Sequence, residues 1–306
     1  MAKTQSPVSK VVLITGCSSG IGRATALRLA RAGHTVYASA REPLSDLTDA
    51  GCRTLAIDVT DDASMVRAVQ QIEAEHGAVG VLINNAGYSQ TGALEEIPIE
   101  LLRKQFETNV FGLMRLTQLV LPGMRRQGFG KIVNLSSMGG KLTFPGGGAY
   151  HATKHAVEAL SDALRFEVRG FGIDVVLIEP GLIRTGFGGA AVEAMDGNQA
   201  AGGVYAEFNQ SVGRATREVY EKGVLARLGG EPDDVARVIE RALRARRPRA
   251  RYTVTASARL LLAQRRFMSD RAWDAFLRSQ FPTPAQPAVA GRLAPAETPA
   301  TLPSAT

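Results

Sequence analysis

Tyr150 and Lys154 stand four positions apart in the run YHATK. On a helix that interval puts a phenol and an ammonium on one face. A free tyrosine titrates at about 10 and is a poor base near neutrality. A neighbouring cation favours its phenolate and brings proton exchange with a bound oxygen within reach. Each residue is ordinary on a helix, so the pair alone leaves a structural role open. His151 and His155 share the interval, which can bind zinc, but no Glu follows His151 as in H-E-x-x-H and no third ligand stands out. The expectation is no metal site and two histidines on a solvent or subunit face. Ser137, in NLSSMGG, lacks the G-x-S-x-G setting of a hydrolase nucleophile.

The run TGCSSGIG, Thr15 to Gly22, follows VVLI and precedes RATALRLARAG. A strand that passes through small residues into a helix leaves unpaired N–H groups at the helix start, where the macrodipole favours an anion. Gly16, Gly20 and Gly22 remove side chains that would keep a phosphate away. A nucleoside-triphosphate loop would end Gly-Lys-Ser/Thr, whereas this one ends Gly-Ile-Gly-Arg and has no phosphate lysine. Taken alone, the spacing G-x-x-x-G-x-G equally suits a tight turn. Cys17 within it reads as a small packed residue.

Positioning these groups requires a frame. Seven β-rich runs, at 11–15, 35–39, 53–57, 79–84, 131–136, 173–179 and 252–255, alternate with helical patterns at 20–32, 61–76, 99–127, 149–170 and 232–246. That rhythm predicts an α/β fold, a doubly wound seven-stranded parallel sheet with helices on both faces. With 45% hydrophobic and 21% charged residues, the 306-residue chain can fill one core, so a single domain is expected over 1–281. Residues 186–230, rich in Gly and Ala, follow a strand end and are expected to form a substrate lid. Phe144, Phe187, Tyr205 and Phe208 near it point to a bulky lipophilic ligand such as a steroid, retinoid or long-chain ketone. The Pro- and Ala-rich stretch 282–306 is expected to be a disordered tail.

Residues 241–306 hold 12 Arg against three acids, so the net charge of +7 belongs to the C-terminal segment and the remainder sums to −2. There, Arg clusters alternate with Leu260, Leu261, Phe267, Trp273, Phe276 and Leu277. A helical cover of the pocket over 256–281 is favoured over peripheral contact with an anionic membrane, and no nucleic-acid module accompanies the charge. Two cysteines suit a reducing compartment, and no signal or 18-residue apolar span is present, so the expected location is cytoplasmic with no transmembrane segment.

Taken together, TGCSSGIG, NNAG at 84–87, Asn109 within ETNVFG, Ser137 closing NLSS, YHATK, and PGLIRT at 180–185 resemble the ordered motifs of the short-chain dehydrogenase/reductase family over residues 8–255. Ser137 precedes Tyr150 by 13 positions, the family's usual interval. The resemblance implies a Rossmann fold and interconversion of a secondary alcohol and a ketone or aldehyde by hydride transfer to or from a dinucleotide. It makes Tyr150 the acid/base, Ser137 a substrate-oxygen donor, Lys154 a ribose ligand and Asn109 the holder of a relay water. Gly16, Ser18, Ser19, Gly20, Ile21 and Gly22 would cradle the dinucleotide. Asp58 and Val59 would flank the adenine, and Asn85, Ala86 and Gly87 the adenosine ribose; for Asp58, a helix N-terminal role beside Asp61 stays open. Pro180, Gly181, Ile183 and Thr185 would shape the nicotinamide end, with Tyr150 and Lys154 touching the cofactor as well. After the second strand, Ala40 stands where NAD-preferring relatives carry Asp, and Arg41 follows. That arrangement predicts NADP(H), with NAD(H) as the alternative, and Arg23 as a compensating base. The apolar face of helix 149–170, with Ala152, Ala156, Val157, Leu160, Leu164 and Val168, suits either the sheet or a homodimer or homotetramer contact. The rival functional reading is a non-catalytic dinucleotide-sensing or scaffold protein on the same fold.

Overall fold

All seven apolar runs form strands: β1 Val12–Ile14, β2 Val36–Ala40, β3 Arg53–Ala56, β4 Val81–Asn84, β5 Gly130–Leu135, β6 Ile173–Pro180 and β7 Arg251–Val254. A computed structural model describes residues 8–42, 44–196, 203–221 and 223–284. The strands make one sheet in the order β3-β2-β1-β4-β5-β6-β7, every pair parallel. The chain runs outward from β1 to β3 on one side and from β4 to β7 on the other, so a crevice opens beyond the carboxyl ends of β1 and β4.

Successive side chains on a strand point to opposite faces, so each strand serves two cores. Val12 and Ile14 pack on one face with Ala26 and Leu29 of α1 (Gly20–Arg31), Leu47 of α2 (Ser45–Asp49), and Val235 and Ile239. Leu13 points the other way, into Met65, Val69 and Ile72 of α3 (Asp62–His76), together with Leu116, Val120 and Leu164. The pattern expected at 99–127 is one continuous rod of three parts: α4 (Ile99–Phe106), a π-helical turn at Glu107–Phe111, and α5 (Gly112–Gln127). α6 (Gly148–Val168) buries Val157, Leu164 and Val168, so its stripe covers the interior, while Ala152 is exposed.

Beyond β6 the stretch of weak periodicity folds into three helices, α7 (Phe187–Asp196), α8 (Ala206–Glu221) and α9 (Gly223–Arg227). Asn209 of α8, 1% exposed, accepts from the Ala93 amide at 3.1 Å and donates to Glu96 at 2.7 Å; Gln90 donates to the Ala194 carbonyl at 3.2 Å. α10 (Pro232–Arg244) opens with Pro at its first turn and a reciprocal Glu231–Asp234 cap. α11 (Ala256–Phe267) and α12 (Asp270–Gln280) follow β7, capped by Thr255 and Ser269. Residues 197–202 and 222 of the expected lid, and the expected tail from 285 onward, lie outside the described residues.

Candidate active site

The glycine-rich run forms the turn from β1 into α1. Gly16 takes φ +72°, a conformation that favours glycine, and a Cβ there would stand 2.9 Å from the Ala86 backbone. A Cβ on Gly22 would lie 2.3 Å from the Gly16 carbonyl oxygen and 2.4 Å from the Asn85 amide nitrogen. These glycines therefore let the loop sink onto the 84–87 segment. Asn85 donates to the carbonyls of Thr15 and Gly16 at 2.9 and 3.0 Å, and Thr15 Oγ1 accepts the amides of Asn85 and Ala86, both at 3.0 Å. Asn85 thus braces the loop, a role its family position did not announce, and Thr15 is its overlooked partner.

The start of α1 is open to an anion. Arg23 donates to Ser19 at 3.4 Å, so the amides of Gly20, Ile21 and Gly22 precede the first intrahelical bond. Ser19 makes no side-chain capping bond, and the first turn holds no acid. A Cβ on Gly20 would meet only Thr185, at 3.4 Å, which leaves a gap between the loop and the β6 exit. Uncapped donors facing a gap fit a dinucleotide pyrophosphate.

Around this loop lies a cavity of about 1490 Å³. Gly16, Ser18, Ser19, Gly20 and Ile21 line one end, with Arg41, Asp58, Val59, Asn85, Ala86 and Gly87; Ser137, Tyr150, Lys154, Pro180, Gly181, Ile183 and Thr185 line the other. Gly22 and Asn109 are not in the wall but adjoin residues that are. Arg41 is exposed beside Ala40 on the rim. Arg23 points away and pairs with Asp46 on the surface, so it does not compensate at the ribose end. One oxygen of Asp58 accepts from the Thr60 amide at 2.8 Å and its hydroxyl at 2.7 Å, bonds that hold the carboxyl below its ordinary range. The helix cap beside it is Asp61, which accepts from Ala63.

At the other end, Tyr150 and Lys154 lie on α6 as their spacing requires, with the Lys154 nitrogen 5.7 Å from the Tyr150 ring centre. Burial pushes the Tyr150 phenol up, opposed by its hydrogen bond with Ser137; Tyr220 raises it further. Burial likewise pulls the Lys154 ammonium down to about 8, opposed by Glu158 one helical turn on. Lys154 donates to the Leu135 carbonyl at 2.7 Å, and Ser137 Oγ accepts the Gly139 amide at 3.1 Å. In the protein alone, then, desolvation outweighs the lowering of the phenol expected from the Tyr–Lys spacing.

Asn109 sits in the π turn, 1% exposed. Its amide donates to the Tyr88 carbonyl at 2.9 Å and to Thr153 Oγ1 at 3.1 Å, and its carbonyl accepts the Tyr88 amide at 3.1 Å. A Cβ on Gly87 would stand 3.0 Å from Asn109 Oδ1 and 3.8 Å from Lys154 Nζ, so the glycine lets the 84–87 segment pack closely on the Asn109 amide. Turns of this type favour functional positions because they re-aim one side chain without ending the helix.

Two expectations change. His151 is 9% exposed and forms cavity wall; Gly139 and Gly147 pack so closely on its ring that a Cβ on either would stand within 2.5 Å. Burial lowers the imidazole to about 4, helped by His155, which alone of the two is exposed. Tyr205 and Phe208 do not line the cavity: Tyr205 donates to Glu95 at 2.6 Å, and Phe208 packs on Val192 and Val212. The apolar wall instead comes from Phe144, Phe187, Val212, Val219, Leu225, Leu261 and Phe276. Among the described residues no cluster of three or more His, Cys, Asp or Glu could hold a metal. Cys17, fully buried and raised to about 12 by burial, is a small packed residue as expected.

A family model described as short chain dehydrogenase matches residues 10–196. A 3-ketodihydrosphingosine reductase of Bacteroides thetaiotaomicron is 46% identical over 178 residues, which is 58% of this chain and 65%, just under two thirds, of that protein. An NADPH-dependent 3-dehydrocapnine reductase of Ornithobacterium rhinotracheale is 35% identical over 276 residues, 87% of this chain and 95% of the relative. The crystal structure of a short-chain dehydrogenase from Streptomyces avermitilis matches with a TM-score of 0.72 and 37% identity, covering 90% of this chain and 96% of that one.

Proposed function

The chain belongs to the short-chain dehydrogenase/reductase family, oxidoreductases that act on CH–OH groups with a nicotinamide dinucleotide, and from that premise we propose an NADP(H)-dependent enzyme interconverting a long-chain secondary alcohol and its ketone, with Tyr150 as acid/base. The observation that carries the reading is the meeting of Ser137, Tyr150 and Lys154 in the wall of the cavity that the open start of α1 also enters.

A dinucleotide held by the loop at the start of α1 would supply or accept the hydride. Tyr150 gives its proton to the oxygen of a ketone under reduction, or takes one from an alcohol under oxidation. Its raised pKa keeps the phenol protonated before reduction, and Ser137 holds the substrate oxygen beside it. Lys154 spends one of its three donors on Leu135 and keeps two for ribose hydroxyls. Asn109 Oδ1 and Lys154 Nζ both lie beside Gly87, and a water held between them would extend the proton path. Arg41 on the ribose rim, with no acid at position 40, supports the phosphorylated cofactor.

The cavity exceeds the about 300–1,000 Å³ typical of one small ligand, so it can take a dinucleotide and a second bulky molecule. Both relatives are named as reductases of a 3-keto or 3-dehydro compound, and of the lipophilic classes expected from sequence these names favour the long-chain ketone. A homo-oligomer belongs to the same proposal: α6 packs on the π turn, and Phe166 and Phe111 from these two elements are 86% and 54% exposed.

A series of 3-ketones of increasing chain length, assayed with NADPH and NADH, tests this reading. We expect kcat/KM to rise about threefold to fourfold per added methylene until the apolar wall is filled, from about 0.8 kcal/mol per buried CH₂, and NADPH to be preferred. A kcat/KM indifferent to chain length would remove the lipophilic substrate; equal use of NADH would remove the role given to Arg41.

A further inference from the structure

The C-terminal helices have two faces, and only one is used by the fold. Inward, α11 contributes Leu261 and Leu262 and α12 contributes Trp273, Phe276 and Leu277 to a cluster with Leu142, Phe144 and Leu225 that roofs the cavity. Outward, α11 presents Ala256, Leu260, Ala263 and Phe267, spaced 4-3-4 and therefore aligned on one face. Leu260 is 51% and Phe267 85% exposed. Nothing in the hydrophobic effect accounts for a phenylalanine held in water on a helix whose other face is already well packed.

Charge accompanies this stripe. Arg259 and Arg266 flank it, and Arg271 and Arg278 lie exposed on α12; none of the four has an ion-pair partner among the described residues. Of the two acids on α12, Asp270 is bound to Arg265 at 2.6 Å. The other basic group of the C-terminal region, Arg246, Arg247 and Arg249, precedes β7, whereas α11 follows it. Arg246, Arg247 and Arg249 thus lie at the amino end of β7, whereas α11 and α12 leave its carboxyl end, and Leu261 and Phe276 of these helices line the cavity. Val224, 68% exposed, is itself part of the cavity wall, and its neighbour Leu225 packs in the same cluster as Leu261, next in sequence to Leu260. An apolar stripe bordered by unpaired arginines, next to the mouth of an apolar cavity, matches the chemistry of an anionic bilayer: acyl chains for Leu260 and Phe267, phosphates for the guanidinium groups.

We infer that the outward face of α11, with Arg271 and Arg278 of α12 and Val224 at the rim, docks the protein peripherally on an anionic phospholipid bilayer. Helical cover and membrane contact are then opposite faces of the same element. The surface rests on the proposed function only for its purpose, which is to let a lipophilic substrate pass between bilayer and cavity without crossing water.

Co-sedimentation of the full chain with phosphatidylcholine vesicles, with and without phosphatidylglycerol, at low and high salt, tests the inference. Binding is expected only to the anionic vesicles and is expected to weaken with salt. It should fall about fivefold for each of Arg259→Gln and Arg266→Gln, from about 1 kcal/mol per basic residue at such a surface, and be lost in the Leu260→Asp, Phe267→Asp double variant. Thermal unfolding and turnover of a short water-soluble ketone should not change in these variants. In Phe267→Trp, added indole fluorescence should shift to the blue with anionic vesicles. No binding to anionic vesicles at low salt, or binding undiminished by the double variant, would overturn the inference. So would a double variant that instead dissociates a dimer of the wild type, because the face would then be a self-association surface. Failure of vesicle binding with long-chain ketone turnover intact condemns the surface and leaves the enzyme reading standing; the reverse pattern condemns the substrate reading.

Discussion

At the scale of single residues, the fold shifts the protonation of Tyr150, His151 and Lys154 by burying them in one wall. Removing only the Tyr150 hydroxyl, Tyr150→Phe, should lower kcat by about 10²–10⁴-fold, the usual worth of a positioned acid/base. NADPH affinity, measured by fluorescence titration, should change only a few-fold, since the loop at α1 is untouched. His151 makes a pH prediction. Its imidazole titrates at 6.5 unfolded and at about 4 folded, so between these values the unfolded chain binds the extra proton. The stability gained by keeping it neutral is therefore complete above pH 6.5 and is lost as pH falls towards 4, by about 3 kcal/mol. Urea unfolding across that window should be markedly flatter in His151→Gln, and equal slopes would contradict the assignment. The Tyr–Lys pair was legible because a helical turn fixes its geometry. The burial of His151 was not, because it is made by Gly139, Gly147 and Phe144, which approach from outside its own helix.

Elements place these residues, and here close backbone approach matters most. In Gly22→Ala the new methyl group meets the Gly16 carbonyl and the Asn85 amide at once. The expected cost is about 1–3 kcal/mol, the range for overpacking, seen as a lower Tm together with weaker NADPH binding. A Tm and affinity equal to wild type would show that the loop is not sunk onto the 84–87 segment. The loop was readable from its glycines and its position between a strand and a helix, but its brace was not, since Thr15 and Asn85 meet only when β1 and β4 lie side by side. The π turn around Asn109 left no trace either: the apolar spacing over 99–127 reads as a single helix. The helices at 187–227 were hidden for the opposite reason, because Gly- and Ala-rich sequence gives little contrast between faces.

At the scale of the whole molecule, the alternation of strands and helices disclosed the parallel sheet, while its strand order came only with the structure. One consequence of that order is a half-buried ionic cluster at the β6–β7 edge. Arg251 bonds Glu158 at 2.9 Å and Asp162 at 2.6 Å and lies 3.3 Å from Glu179, whose other oxygen accepts from Thr253. Arg251→Met would leave Glu158 without its cation, with only Lys141 beside the buried Glu179 and Arg165 beside Asp162. A loss of about 3 kcal/mol is expected in denaturant unfolding, with Arg251→Lys recovering part of it; a neutral effect would mean that the cluster contributes nothing. The same sheet carries the central claim, because the carboxyl edges of β1, β4, β5 and β6 bring the start of α1 and the hydroxyl of Tyr150 to one cleft. The measurement that tests this most directly is a crystal structure of the protein with NADP⁺. The account predicts the pyrophosphate against the backbone amides at the start of α1, the ribose phosphate at Arg41 and the nicotinamide ring beside Tyr150 and Ser137. A dinucleotide bound away from the glycine-rich turn, or with its nicotinamide ring remote from the Tyr150 hydroxyl, would contradict it.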